Sequence, residues 1–231
     1  MPQGRPPKVE HVRDEFIQNI NSAKDLVNQV LRFEGIHPNT QKATLHSKHV
    51  RKVVELAFMG VVASWEEFLE RTFVRYMAGA ETSNLKPTLK VGRADSLEHS
   101  YQLLAEDPNY DSAKDYLKFS TPKWVIMKAK FYFKEAKPYD VLHGETDKLL
   151  NANKIRHRVA HSSRKCKADF KEVAIKFLDI RNGTLTQGFG AGDLLLKPAQ
   201  RHFGQSAKDR GITFFEAYME FYEYLANRIV S

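Results

Sequence analysis

The chain has 231 residues, 42% of them hydrophobic and 28% charged, with 36 Lys and Arg against 28 Asp and Glu for a formal net charge of +8. That balance fills a proper core and excludes a disordered chain, while the basic excess suits an acidic partner such as nucleic acid. The lone cysteine, Cys166, excludes an intrachain disulfide and suits the reducing cytoplasm, and no run of about 18 apolar residues is present to span a membrane.

Met1 to Lys8 is polar and Pro-rich, without the apolar core of a signal peptide, and reads as a flexible tail ahead of one helical domain over 9–231. Its Gly4-Arg5-Pro6 resembles the core of a minor-groove hook in a single copy without flanking basic residues. From Val9, the residues Phe16, Ile20, Ala23, Val27, Val30 and Leu31 recur at helical spacing until Gly35 and Pro38 end the run. Gln41 to Met77 is the longest periodic segment, closed by Gly79 and apolar on more than one side around Phe58 to Trp65. Gly60 inside it costs about 1 kcal/mol relative to Ala, which predicts the close approach of another helix. His46 and His49 on the same segment could reach a shared metal, although solvated imidazoles are far commoner.

A loop over 80–92 leads to a short helix over 94–105, a turn at Asp107-Pro108-Asn109 and a helical turn or two over 111–119. Ser120-Thr121-Pro122 then offers an N-cap and a first-turn Pro for a helix running through Trp124, Met127, Phe131 and on toward Phe133. Pro138 to Gly144 breaks it, and Thr146 or Asp147 caps the next. Lys165 to Asp179 is amphipathic. Asn182 to Gly211 carries five glycines between Gly183 and Gly204 and a short apolar run, Leu194-Leu195-Leu196, which predicts a small hairpin or ordered loop. Ile212 to Val230 is an aromatic-rich final helix. The fold class is therefore all-α, a helical bundle with a small loop or hairpin insertion before the last helix.

One stretch carries chemistry: Lys154-Ile155-Arg156-His157-Arg158-Val159-Ala160-His161-Ser162-Ser163. Seven Lys and Arg and no acid lie between Lys148 and Ala168. Leu149, Leu150, Ile155 and Val159 predict a helix that packs inward to Ala160 and breaks at Ser162-Ser163. Arg156 and His161 would stand about 140° apart on an ideal helix, so they share a site only where the helix ends and the imidazole swings back. A guanidinium fork matches phosphate oxygens, and an imidazole moves protons near neutral pH.

The form I-R-H-R-V-A-H-S resembles the signature of the HEPN superfamily: Arg, four to six residues, then His, most often with Asn after the Arg. Ala63-Ser64-Trp65-Glu66-Glu67-Phe68-Leu69-Glu70 is similar to the second helix of the RiboL-PSP and MAE-type branches. The resemblance covers about two thirds of the chain, from Val9 to His161 plus the last helix. His157 stands where the family usually has Asn, and Ser163 stands where the subgroup silenced by nucleotide transfer has Tyr.

The resemblance implies a metal-independent endoribonuclease working as a homodimer. His161 is its acid or base, Arg156 binds the phosphate, and His157 replaces the Asn or titrates as well. Lys154, Arg158, Arg164 and Lys165 track the RNA, and Glu66 supports a motif side chain. Neither a cofactor nor a metal is expected, and the setting implied is phage defence or a toxin–antitoxin system with an antitoxin or defence partner protein. Two other readings stand beside it: a catalytically degenerate module that binds RNA or a protein, and a metal site on His157 and His161.

Overall fold

The structure is a computed structural model that describes residues 8–36 and 43–231; the expected tail and its Gly4-Arg5-Pro6 motif lie outside the described residues apart from Lys8. Nine α-helices account for the architecture among the described residues: α1 Glu10–Arg32, α2 Ser47–Met77, α3 Leu97–Ala105, α4 Pro122–Tyr132, α5 Thr146–Ala160, α6 Arg164–Leu178, α7 Ala191–Leu195, α8 Gln205–Arg210 and α9 Phe214–Ile229. Two short strands, β1 Gly35–Ile36 and β2 Ala43–Leu45, pair antiparallel between α1 and α2. The fold is all-α. No helix among the described residues is long and apolar enough to cross a membrane.

The chain divides into two compact units. The first takes the described residues within Met1–Gln18, Ser64–Leu150 and Glu223–Ser231. Its core is aromatic. Phe73, fully buried, stacks on Tyr139 at 4.8 Å and meets Phe119, Phe133 and Tyr132 edge-on. Burying each such ring contributes roughly 1.5–3 kcal/mol. The buried hydroxyls are satisfied: Tyr139 donates to Thr72 Oγ1 at 2.9 Å, Thr72 donates to the Phe68 carbonyl at 2.8 Å, and Tyr76 donates to the Ile229 carbonyl at 2.8 Å.

Only some of the apolar residues of α4 face inward. Val125, Ile126, Ala129 and Tyr132 are buried, whereas Met127 and Phe131 are 55% and 60% exposed. The helix is apolar nearly all round, so its periodicity does not select a face. Lys128 is also buried, its ammonium 2.6 Å from Glu106. Residues 111–119 form turns and no helix.

The second unit takes Asn19–Ala63 and Asn151–Tyr222, the latter part holding the motif. Phe177 stacks on Phe214 at 4.9 Å, and Tyr218 packs edge-on against Phe58 at 5.2 Å. The segment over 182–211, expected as a small hairpin or ordered loop, forms no hairpin; it carries two short helices, α7 and α8, with a 3-10 turn at Arg201–Phe203 and an isolated bridge between Pro198 and Thr213. Leu194 and Leu195 are fully buried on α7. A three-leucine run reads equally as buried strand or buried helix, and Asp193 settles it by accepting the Gly190 N–H at 2.8 Å.

The close approach expected at one glycine is found at another. Gly60 is exposed on α2 and a Cβ there would meet nothing within 4 Å, so no close approach explains it. At Gly192 a Cβ would stand 2.5 Å from the Arg51 carbonyl oxygen, so here α7 lies directly against α2. Gly60→Ala should therefore stabilise the protein by about 0.5–1 kcal/mol in urea unfolding through helix propensity. Gly192→Ala should destabilise it by about 1–3 kcal/mol through overpacking.

Candidate functional site

The motif helix runs as expected to Ala160 and stops. Thr146 does not cap its start; it lies within the first turn, its hydroxyl shared between the Leu142 and His143 carbonyls at 3.2 Å. At the other end Ser163 Oγ accepts the Cys166 N–H at 3.2 Å and opens α6, leaving residues 161–163 as the stretch of chain between the two helices. The break falls where Ser162-Ser163 predicts it.

His161 does not swing back. Its amide donates to the His157 carbonyl at 2.8 Å, the helical pattern continued one residue beyond α5. Its ring therefore comes to lie beside His157, with centroids 6.4 Å apart and planes at 52°. Both rings are exposed. Arg156 projects about 140° from His161 on this register. It is half-buried, on the side of Ala152, one turn earlier and fully buried. The pair brought side by side is His157 with His161.

His157 is held below the usual histidine value of 6.5, first by partial burial and then by the positive charges of Arg156 and His161, against a weaker pull from Asp169. Its neutral form, a proton acceptor, is the one favoured at neutral pH.

The cations around the pair differ in their commitments. Lys154 is ion-paired with Glu172 of α6 at 3.0 Å. Arg164 and Lys165 are exposed in the first turn of α6, which contains no acid. Positive charge at a helix N-terminus opposes the macrodipole by about 0.3–1 kcal/mol per residue, a cost that an arriving anion removes. Glu66, the expected supporting carboxylate, is half-buried on α2 and belongs to the first unit, whereas the motif belongs to the second.

Arg158 lines a groove of about 710 Å³ that the motif alone does not reveal. Lys48, Arg51 and Lys52 enter it from the start of α2, and Phe189, Asp193 and Lys197 from around α7. Its two carboxylates are occupied. Asp193 pairs with Arg51 at 2.7 Å, and Glu55 pairs with Lys52 at 3.2 Å while accepting the Gly192 N–H at 3.1 Å. The readable signal was Lys48-His49-Val50-Arg51-Lys52, three cations and an imidazole within five residues at the opening of a helix.

Among the described residues no group of three or more His, Cys, Asp or Glu is placed to hold a metal ion. His46 with His49 (6.4 Å, planes at 79°) and His157 with His161 are pairs of rings. No protein-family model, no curated protein and no solved structure matches the chain.

In a histidine NMR titration, His157 should titrate below 6.5, and His161→Ala should move it upward by removing a neighbouring positive charge. The sign for stability follows: the unfolded chain takes up this proton first as pH falls. The stability tied to neutral His157 is thus complete above the unfolded value and declines as pH drops below it.

Proposed function

We propose that the protein is a metal-independent endoribonuclease whose acid–base pair is His157 and His161, in the manner the HEPN resemblance implies but with the roles redistributed. The observation that carries this reading is the pair of exposed imidazoles 6.4 Å apart in an acid-free basic segment. In the proposed reaction His157 takes the proton from a ribose 2′-hydroxyl, and the oxygen attacks the adjacent phosphorus. The bond from phosphorus to the 5′-oxygen breaks, and His161 gives that oxygen its proton. Exchange with water resets both rings. Arg158, Arg164 and Lys165 neutralise the charge that accumulates on the phosphoryl oxygens. Partial burial favours the neutral His157 ring, and Arg156, turned to the half-buried side, adds to this through its charge.

RNA should be cut in EDTA, and an all-2′-deoxy strand of the same sequence should not. His157→Ala and His161→Ala should each reduce the rate by about 10²–10⁴-fold. Wild-type rates in either purified variant would refute the roles assigned. His157→Asn should remove the acid limb of the pH–rate profile if His157 is the base.

A second reading is favoured by the helical register, which the His161 amide continues and which sets Arg156 and His161, the two residues of the signature, about 140° apart. On that reading the protein binds RNA without cutting it, and its role in defence or toxin–antitoxin control runs through a partner protein. Retention of RNA with no cleavage in the assay above selects it.

The working unit we propose is a homodimer, because an isologous contact would double a sparse inventory of catalytic groups. Light scattering should then report twice the 26.6 kDa chain mass. Active protein at the single-chain mass would exclude the dimer.

A further inference from the structure

We propose that the groove between the start of α2 and α7 is a binding site for a phosphorylated nucleotide, its phosphates on Lys48, Arg158 and Lys197 and its base on Phe189. This goes beyond RNA cleavage and shares only Arg158 with it.

Five cations and two carboxylates line the cavity, and each carboxylate is already held, Asp193 by Arg51 and Glu55 by Lys52. Lys48, Arg158 and Lys197 are left, and none of the three has an ion-pair partner among the described residues. Three unneutralised cations around one cavity repel one another and raise the local potential, a state that an anion relieves. Lys48 and Lys197 are exposed, so their ammoniums are free to close on a ligand, whereas Arg158 is half-buried and presents its fork from a fixed position.

The walls are set in advance. Gly192 has no Cβ and so lets α7 press against the Arg51 carbonyl, and Glu55 and Asp193 tie the Gly192 and Gly190 amides at 3.1 Å and 2.8 Å. The acids of the groove thus serve as struts, which is why they do not cancel its charge. Phe189 is half-buried, steadied by stacking with Phe170 at 6.5 Å, and it gives the cavity an apolar ring among its cations. Cations beside an aromatic face match the phosphate and base of a nucleotide. A volume of about 710 Å³ falls within the roughly 300–1,000 Å³ of small-ligand pockets. Two sources share this chemistry, a free mononucleotide and the phosphorylated end of a nucleic-acid strand.

The test is titration calorimetry on the full chain at low salt with adenosine, adenosine 5′-monophosphate, adenosine 5′-diphosphate and pyrophosphate. Alongside them run short 2′-deoxy oligomers with and without a 5′-phosphate, none of which the 2′-hydroxyl reaction can cut. The nucleotides should bind, the diphosphate more tightly, and adenosine should not. Affinity should fall with added salt. Lys48→Ala combined with Lys197→Ala should weaken binding by roughly tenfold to a hundredfold, with the thermal unfolding midpoint near that of wild type. Phe189→Leu should weaken the monophosphate by about tenfold and leave pyrophosphate unchanged, and Phe189→Tyr should restore it.

Tighter binding of the 5′-phosphorylated oligomer than of the mononucleotide supports the site with a strand end as its ligand; the reverse order supports it with a free nucleotide. Flat titrations to millimolar concentration overturn the proposal. So do binding unmoved by the double lysine variant, adenosine binding as well as its phosphate, and a Phe189→Leu protein equal to wild type. None of these outcomes depends on RNA cleavage. A protein that binds the nucleotide and cuts nothing refutes the acid–base pair and leaves the groove standing.

Discussion

The register of α5 governs the site. Each helical residue turns the chain by about 100°, and the bond from the His161 amide to the His157 carbonyl carries that register one residue past Ala160. Given the bond, His161 must sit over His157, and Arg156 must face away. Ser163 fixes the other side of the break by capping α6, so only three residues separate the helices and the histidine has little backbone freedom. A sequence motif of Arg, four residues and His thus becomes a pair of imidazoles with a guanidinium behind it.

The charge of the second unit is arranged unevenly, and the unevenness is informative. Acids are not absent from it. Glu172 holds Lys154, Asp193 holds Arg51 and Glu55 holds Lys52, at 2.7–3.2 Å. Exposed ion pairs of this kind contribute little to stability, about 0–1 kcal/mol each. Their effect here is to choose which cations remain unneutralised: Arg158, Lys48 and Lys197 at the groove, with Arg164 and Lys165 exposed in the acid-free first turn of α6. The first unit contrasts with this, being organised by the Phe73 aromatic cluster and by buried hydroxyls that are all paired.

Much of the fold was legible because its long helices announce both ends. The ends of α1, α2, α5, α6 and α9 fall near those read from apolar spacing, except that α2 opens at Ser47 where the spacing suggested Gln41. What stayed hidden were choices made by tertiary contact. The apolar circumference of α4 left its buried face undecided, and burial turned Met127 and Phe131 outward. A mid-helix glycine looked like a contact at Gly60, while the true contact lay at Gly192, in a segment without periodicity. The break after Ala160 was visible in the two serines, but the direction of His161 was not, because one hydrogen bond beyond the helix end decides it. The groove went unread because its cations come from three separated stretches, and only the cluster over 48–52 is dense enough to see.

In the proposed mechanism a 2′-hydroxyl, deprotonated by His157, is the nucleophile while His161 protonates the leaving oxygen. Mass spectrometry of the fragments from a defined RNA, cut in EDTA, tests it most directly. The upstream fragment should carry a 2′,3′-cyclic phosphate and the downstream one a 5′-hydroxyl. Fragments ending in a 3′-hydroxyl and a 5′-phosphate would show that water attacks from the other side of the phosphorus, and would contradict it.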